Sequence, residues 1–530
     1  MKARLLKAAG LIGALTLVSR ILGMIRDIMS AKSFGTTWQW DAFIYAFMLP
    51  NFMRRLVGEG ALSSAFIPVY AQFVQQEGKE AAFRFANVVL TLLVTVLAAF
   101  LVVAQIALFF LLKLPSLPPV LFLTARLLEL LFPYLFFISL CAWATALLNS
   151  HHHFFSPSLN PIILDLVWII GVVWVSTLEN AASEKQVLIL ALFILISGAV
   201  QLGVQWPSFA RIGFKPRWIW DLWHPGLLQV GKLILPAVLG FAIMQINLLV
   251  DMTLGFWVGA GANSSLWYGN RLMQFPLGVF AIAMGTALLP AVSHHTAREE
   301  MEEVKQTLSF ALRSIFFIIF PATVGLIVLR TPIVQLLFER GEFDAVSTVR
   351  TSWVTLFYTL GLFAYSGQKV IVTGFYSLQD TRTPVKVGAL TLILNIVLNL
   401  ILMRPLKEGG LALATSISGI FNFSLLLYLY HRRISAFPFR EIFTSSIRLL
   451  GASLAMGWFS WQSYQWIFNT VNGGMTLRLL AGVLGSVGAS LLGYIGLCFL
   501  LRVPETRDAW RWLKARKDEK ALERMGEEPL

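Results

Sequence analysis

The chain has 530 residues, of which 57% are hydrophobic and 13% charged, and its formal net charge is +14. An ordinary soluble domain is nearer to about 45–50% apolar and about 25% charged, so the composition excludes a soluble globular protein: the surplus apolar surface has to face lipid. The basic surplus does not point to nucleic acid, because Lys and Arg are spread through loops and a tail, as the positive-inside rule of membrane proteins requires.

A membrane-crossing helix needs about 20 apolar residues. Runs of that length recur along the chain, whereas alternating strand patterns do not. Backbone groups in lipid must be paired internally, so a helical bundle follows. The runs are bounded by charged, Gly/Pro or Asn/Ser-rich breaks. They predict transmembrane helices over 11–34, 41–66, 86–112, 122–149, 157–177, 187–206, 228–257, 266–292, 308–329, 351–374, 384–403, 409–432, 443–467 and 478–502, about fourteen in all. The first run follows Lys2, Arg4 and Lys7 but contains Arg20, Arg26 and Asp27 and lacks a clear small-residue cleavage site. It therefore reads as a membrane helix and not as a signal peptide. An even number of crossings puts both termini on one side. The segments holding Lys79, Arg84, Lys215, Arg217, Arg432 and Arg433 fall on that same side, which is then cytoplasmic.

Punctuation repeats along the chain. Ala65-Phe-Ile-Pro68-Val ends the second run and Ala287-Leu-Leu-Pro290-Ala ends the eighth; Pro161 opens the fifth run and Pro384 the eleventh. Both spacings are about 222 residues, which suggests six helices duplicated in parallel, the plan of two-lobed transporters with a central cavity. The expected organisation is an N-terminal lobe over 1–220, a C-terminal lobe over 221–434, two extra helices over 435–503 and a charged cytoplasmic tail over 504–530.

Charges inside membrane segments cost about 2.5–3.5 kcal/mol each and mark function by default. The first run carries Arg20, Arg26 and Asp27, the second Asp41, Arg54, Arg55 and Glu59, and the eighth Arg271. Arg20 and Asp27 lie two turns apart on one helical face. Arg26 points elsewhere unless the helix breaks near Gly23. Arg55 and Glu59, at i and i+4, are spaced to pair, and Pro50, Gly58 and Gly60 around them permit an unwound stretch. Arginine's planar fork suits phosphate and carboxylate, so a cationic chamber for an anionic amphiphile is expected. A second polar group comprises Asp251, Asn395, Asn399 and Thr415. One carboxylate with neutral oxygens suits a monovalent hard cation, and the alternative is hydrogen-bond glue between helices.

Other motifs point elsewhere. His151, His152 and His153 form a loop run read as solvated, as are His294 and His295. Cys141 and Cys498 sit in apolar runs without metal-ligand spacing. No Walker loop, GxSxG or HExxH occurs, so an ATP-driven pump or a hydrolase lacks its parts and no enzyme is expected.

Several stretches resemble the MurJ (MviN) family: Ser19-Arg-Ile-Leu-Gly-Met-Ile-Arg-Asp27, Leu49-Pro-Asn-Phe-Met-Arg-Arg-Leu-Val-Gly-Glu-Gly-Ala61, Asn270-Arg-Leu-Met-Gln-Phe-Pro-Leu-Gly-Val279 and Gly374-Phe-Tyr-Ser-Leu-Gln-Asp-Thr-Arg-Thr-Pro384. The resemblance implies the multidrug/oligosaccharidyl-lipid/polysaccharide exporter fold, all-α, with two six-helix lobes around a cationic cavity and two further helices forming a lipid groove. It implies flipping of lipid II, the undecaprenyl-diphosphate-linked peptidoglycan precursor, across the bacterial inner membrane for cell-wall synthesis and cell shape. Carried over by position, Arg20, Arg26, Arg54 and Arg271 match the cavity arginines and Asp27 and Glu59 the accompanying acids, with Asn51 and Arg55 in the same motif. Asp251, Asn395, Asn399 and Thr415 match a cation site of some members. The family often has Asp at the position of Asn270 and Glu at that of Gln274. The expected partners are lipid II and membrane lipids, the chain acting as a monomer. No cofactor is expected beyond a driving Na+, H+ or membrane potential. The rivals are a flippase for another lipid-linked oligosaccharide and a drug/cation antiporter of the same fold. Arg26→Ala and Arg271→Ala are expected to abolish transport with folding intact.

Overall fold

The computed structural model of the chain describes residues 2–54, 62–178, 182–434 and 437–506, with backbone alone at 2–9, 12, 63, 235–244, 282–283 and 286–287. No strand occurs among the described residues. Two compact units divide the chain: Met1–Ser264 with Arg340–Ser347, and Ser265–Glu339 with Thr348–Leu530.

In the first unit, α1 (Lys2–Phe34) runs through Gly23 without a break. It ends where Gly35 takes a left-handed φ of +56°, the conformation that glycine adopts without steric cost. Thr37 then caps α2 (Trp38–Met53), its Oγ1 accepting from the Trp40 N–H at 3.4 Å. A Cβ on Gly35 would lie 2.2 Å from the Glu342 carbonyl oxygen, and one on Gly341 (φ +60°) would lie 2.4 Å from the Lys32 carbonyl oxygen. The Glu342 N–H donates to that Lys32 oxygen at 2.9 Å, and the Thr36 and Ser347 hydroxyls meet at 2.8 Å. Residues 340–347 are thus a strap stitched over the corner between α1 and α2.

The unit continues through α3 (Ser63–Gln76), α4 (Lys79–Leu112), α5 (Pro119–Ser150), the short α6 (Phe155–Ser158), α7 (Asn160–Ser176), α8 (Ser183–Ile212) and α9 (Pro225–Val258). α5 packs on α2, α4 and α8, and α7 packs on α1 and α8. An aromatic column fills the middle. Phe34, Trp40 and Phe43 stack in series at 4.6 and 4.8 Å, and Trp168 meets Phe43 and Phe47 edge-on at 5.4 and 4.8 Å. Each such pair contributes about 0.5–1.5 kcal/mol beyond its buried area. α9 packs on α2 and α3, and the Tyr45 hydroxyl lies 3.1 Å from that of Thr253. Those contacts place α9 with the first unit.

α10 (Ala262–Pro276) begins in the first unit and continues into the second. A π turn (Leu277–Ala281) joins it to α11 (Ile282–Ala297). There follow α12 (Met301–Phe338), α13 (Ala345–Leu360), α14 (Leu362–Ser377), α15 (Arg382–Leu406), α16 (Glu408–Ile434), α17 (Phe439–Thr470) and α18 (Met475–Leu500). Small residues let these helices approach closely, as membrane bundles require. A Cβ on Gly361 would come 2.8 Å from the Ser416 hydroxyl, one on Gly367 2.6 Å from the Phe423 ring, and one on Gly457 2.4 Å from the Val324 side chain. The α17–α18 hairpin packs on α12. Its Tyr494 hydroxyl donates to the Phe317 carbonyl at 2.8 Å, and Glu505 accepts from Ser445 at 2.8 Å while pairing with Arg313 at 3.4 Å.

Among the described residues nine helices are long and apolar enough to cross a membrane. Two predicted runs are each divided: 266–292 among α10, the π turn and α11, and 351–374 between α13 and α14. None of these pieces has the length to cross alone.

Candidate functional site

Arg26 and Asp27 are buried deep in α1, at 5% and 1% exposure. An unpaired buried charge is costly, so each needs a partner. The Arg26 Nε and Nη2 donate to the Asp27 Oδ1 at 3.0 and 2.8 Å. Its Nη1 donates to the Asp165 Oδ1 at 2.9 Å. The guanidinium carbon sits 4.5 Å from the centroid of the Trp168 ring, a cation–π contact. Trp168 is fixed in turn, its Nε1–H donating to the Ser30 hydroxyl at 3.1 Å. The Asp165 Oδ2 lies 3.4 Å from the Ser19 hydroxyl.

This cluster corrects the helical-wheel expectation. α1 is unbroken at Gly23, yet it is Arg26, not Arg20, that joins Asp27, because a long side chain can fold back along the helix to its neighbour. Arg20 is exposed. Asp165 and Trp168 escaped the sequence reading. Asp165 is an acid within the apolar run 157–177, and the rule that singled out the other charges applied to it equally.

Arg54 is half-buried at the end of α2, its Nε donating to the Asn51 Oδ1 at 3.2 Å, while the Asn51 amide donates to the Phe47 carbonyl at 3.1 Å. Arg55 and Glu59 lie outside the described residues. Asp41, buried at 2% exposure, is a helix cap: its carboxylate accepts from the N–H groups of Gly261 and Ser264 at 2.5 and 2.7 Å and from the Ser264 hydroxyl at 2.6 Å. It thereby satisfies the free donors at the start of α10.

In the second unit, Arg271 is half-buried on α10, 5.6 Å from the Trp267 ring centroid, with the Gln274 amide bonded to Asn270 one turn on. The four residues of the cation expectation divide between the units. Asp251 is buried on α9 of the first. In the second, the Asn399 amide donates to the Asn395 Oδ1 at 2.8 Å, and the Asn395 amide reaches the Thr415 hydroxyl at 3.5 Å. That hydroxyl donates to the Leu411 carbonyl at 3.0 Å. Of these contacts, the one between Asn395 and Thr415 crosses from α15 to α16, in the manner of interhelical hydrogen-bond glue. Among the described residues no three His, Cys, Asp or Glu side chains gather as a metal site.

The histidine loop after α5 is packed, not simply solvated. The His151 Nε2 lies 2.8 Å from the Tyr70 hydroxyl and the His153 Nε2 3.1 Å from the Ser208 hydroxyl. Burial lowers both pKa values, helped at His151 by Lys79 and His152 and at His153 by Arg211. The unfolded chain therefore binds more protons below about pH 6.5, and stability falls as pH drops through that range. The thermal midpoint of the purified protein is expected to fall between about pH 7.5 and about pH 5.5. The fall should shrink in a His151→Asn, His153→Asn double variant, and an undiminished fall would clear these histidines as its cause.

Nine helices of membrane-crossing length among the described residues, with a paired arginine–carboxylate cluster buried in the first unit, define a polytopic helical membrane protein. The family model described as "Lipid II flippase MurJ" matches residues 30–479. The "Probable lipid II flippase MurJ" of Vibrio cholerae is 34% identical over 516 residues, covering 94% of this chain and 97% of that one. The "Lipid II flippase MurJ" of Burkholderia cenocepacia is 31% identical, covering 85% and 89%. The chain belongs to the lipid II flippase MurJ family. A solved lipid II flippase MurJ in an inward closed conformation superposes with a TM-score of 0.78 at 28% identity, covering 93% of this chain and 99% of that one. An inward-facing multidrug resistance MATE transporter of the MOP superfamily shares the fold, with a TM-score of 0.65 at 16% identity.

Proposed function

We propose that this protein flips lipid II from the cytoplasmic to the outer leaflet of the bacterial inner membrane, supplying cell-wall synthesis. The observation that carries the reading is the family match over residues 30–479. The arginines of the second-run motif, Arg54 and Arg55, and Arg20, Arg26 and Arg271 hold the diphosphate of the substrate, with Asn51, Asp27 and Glu59 beside them. Guanidinium forks bind phosphate oxygens in pairs, while the polyprenyl tail stays in lipid. Two parallel six-helix lobes alternate access to the headgroup. Both termini are cytoplasmic and the chain works as a monomer without a resident cofactor. The membrane potential biases the cationic site, at about 2.3 kcal/mol per charge per 100 mV, or a monovalent cation at Asp251 drives the return.

The test uses cells depleted of the protein, with an external enzyme that cleaves only surface-exposed lipid II. Cleavage is expected to fall on depletion, to return with the wild type and to stay low with Arg271→Ala. Unchanged cleavage in cells without another flippase would sink the substrate assignment; full rescue by Arg271→Ala would sink that residue's role.

A further inference from the structure

The Arg26 fork is engaged from two sides. Asp27, its chain neighbour, takes Nε and Nη2 through one oxygen. Asp165 takes Nη1 from 139 residues away, across the packing of α1 on α7. Trp168, one turn beyond Asp165 on the same helix, covers one face of the guanidinium. All three partners are buried. Asp27 would accompany Arg26 wherever α1 goes. Asp165 and Trp168 belong to a different helix, so their hold can be broken by rival ligands or by a shift of α7.

We propose that Asp165 is a positioning residue for the transport cycle: an internal anion that occupies the Nη1 donor of Arg26 until the substrate's diphosphate displaces it. This rests on the reading of Arg26 as part of the diphosphate site. A carboxylate and a phosphate oxygen compete for the same guanidinium N–H groups. A donor already engaged by Asp165 lowers the apparent affinity for the incoming anion by the fraction of time it is free. The same competition favours release, because Asp165 retakes Arg26 as the headgroup departs. Trp168 and Ser30 keep the guanidinium in one plane, so exchange between the two anions needs no large excursion of the arginine. Asp165 thus trades substrate affinity for turnover.

Asp165→Asn keeps the size and one accepting oxygen but removes the competing charge. Farnesyl diphosphate is titrated into the purified full-length protein in lipid nanodiscs, and lipid II exposure is followed in cells. The variant is expected to bind the diphosphate about tenfold more tightly and to turn over more slowly, whereas Asp165→Glu restores the wild-type affinity. In an Arg26→Lys background, which lacks the fork, Asp165→Asn should no longer tighten binding. Unchanged or weaker binding by a folded Asp165→Asn protein overturns the proposal. So does a failure of Asp165→Asn to fold while Asp165→Glu folds and binds normally, which would assign the carboxylate to folding alone. If the wild type binds no diphosphate, the diphosphate reading fails first and takes this proposal with it.

Discussion

Arg26→Ala is expected to lower stability by about 3–5 kcal/mol, the usual cost of removing one partner from a buried ion pair, as well as to abolish transport. Two buried carboxylates, Asp27 and Asp165, lose their guanidinium together, and Trp168 loses the cation over its ring. Arg26→Ala therefore does not separate transport from folding, as the sequence suggested it would. Arg26→Lys retains a charge but not the fork, and should recover part of the stability without the full geometry. Adding Asp165→Asn to Arg26→Ala removes one stranded charge and should restore a measurable fraction of the loss. Chemical or thermal unfolding of the three variants in detergent decides the matter. An Arg26→Ala protein as stable as the wild type would mean that the cluster is solvated in the membrane and not paired as described.

Gly35→Ala is expected to cost about 2–5 kcal/mol. The left-handed φ of +56° contributes roughly 1–2 kcal/mol for any residue with a Cβ. Overpacking against the Glu342 carbonyl, 2.2 Å from the new methyl, adds about 1–3 kcal/mol. Gly213→Ala serves as the control. Gly213 also lies in the left-handed region, with φ +78° and ψ 15°, but its Cβ would meet the flexible end of Lys79 at an ordinary 3.8 Å. It should show the conformational cost alone, about 1–2 kcal/mol. Equal losses at the two sites would mean that the strap moves aside at little cost.

The membrane class and helical architecture were legible in the sequence because both follow from local composition and length. The acids and arginines of α1 and α2 stood out for the same reason: charge in an apolar run is a local signal. Their pairing was not legible. Arg26 meets Asp165 across 139 residues, and Asp41 meets Ser264 across 223. A helical wheel ranks residues by their own helix's faces and knows nothing of which neighbour arrives. Asp41 stood out only as a charge within an apolar run and is a helix cap. The break at Gly361 and the π turn of Leu277–Ala281 were only hinted at by proline and glycine. Hydropathy averages over such breaks, so each divided span read as one run.

The strap of residues 340–347 bears on the order in which the protein can be made. It belongs to the first unit, yet it is encoded after α10, α11 and α12. A nascent chain that has just delivered α9 into the bilayer still has an uncovered corner at Gly35, with the Lys32 carbonyl awaiting the Glu342 N–H. Closure of the first unit is thus postponed until three further helices have left the ribosome. A gene split after Ser264 would leave the upstream polypeptide dependent on its downstream partner for that last stitch.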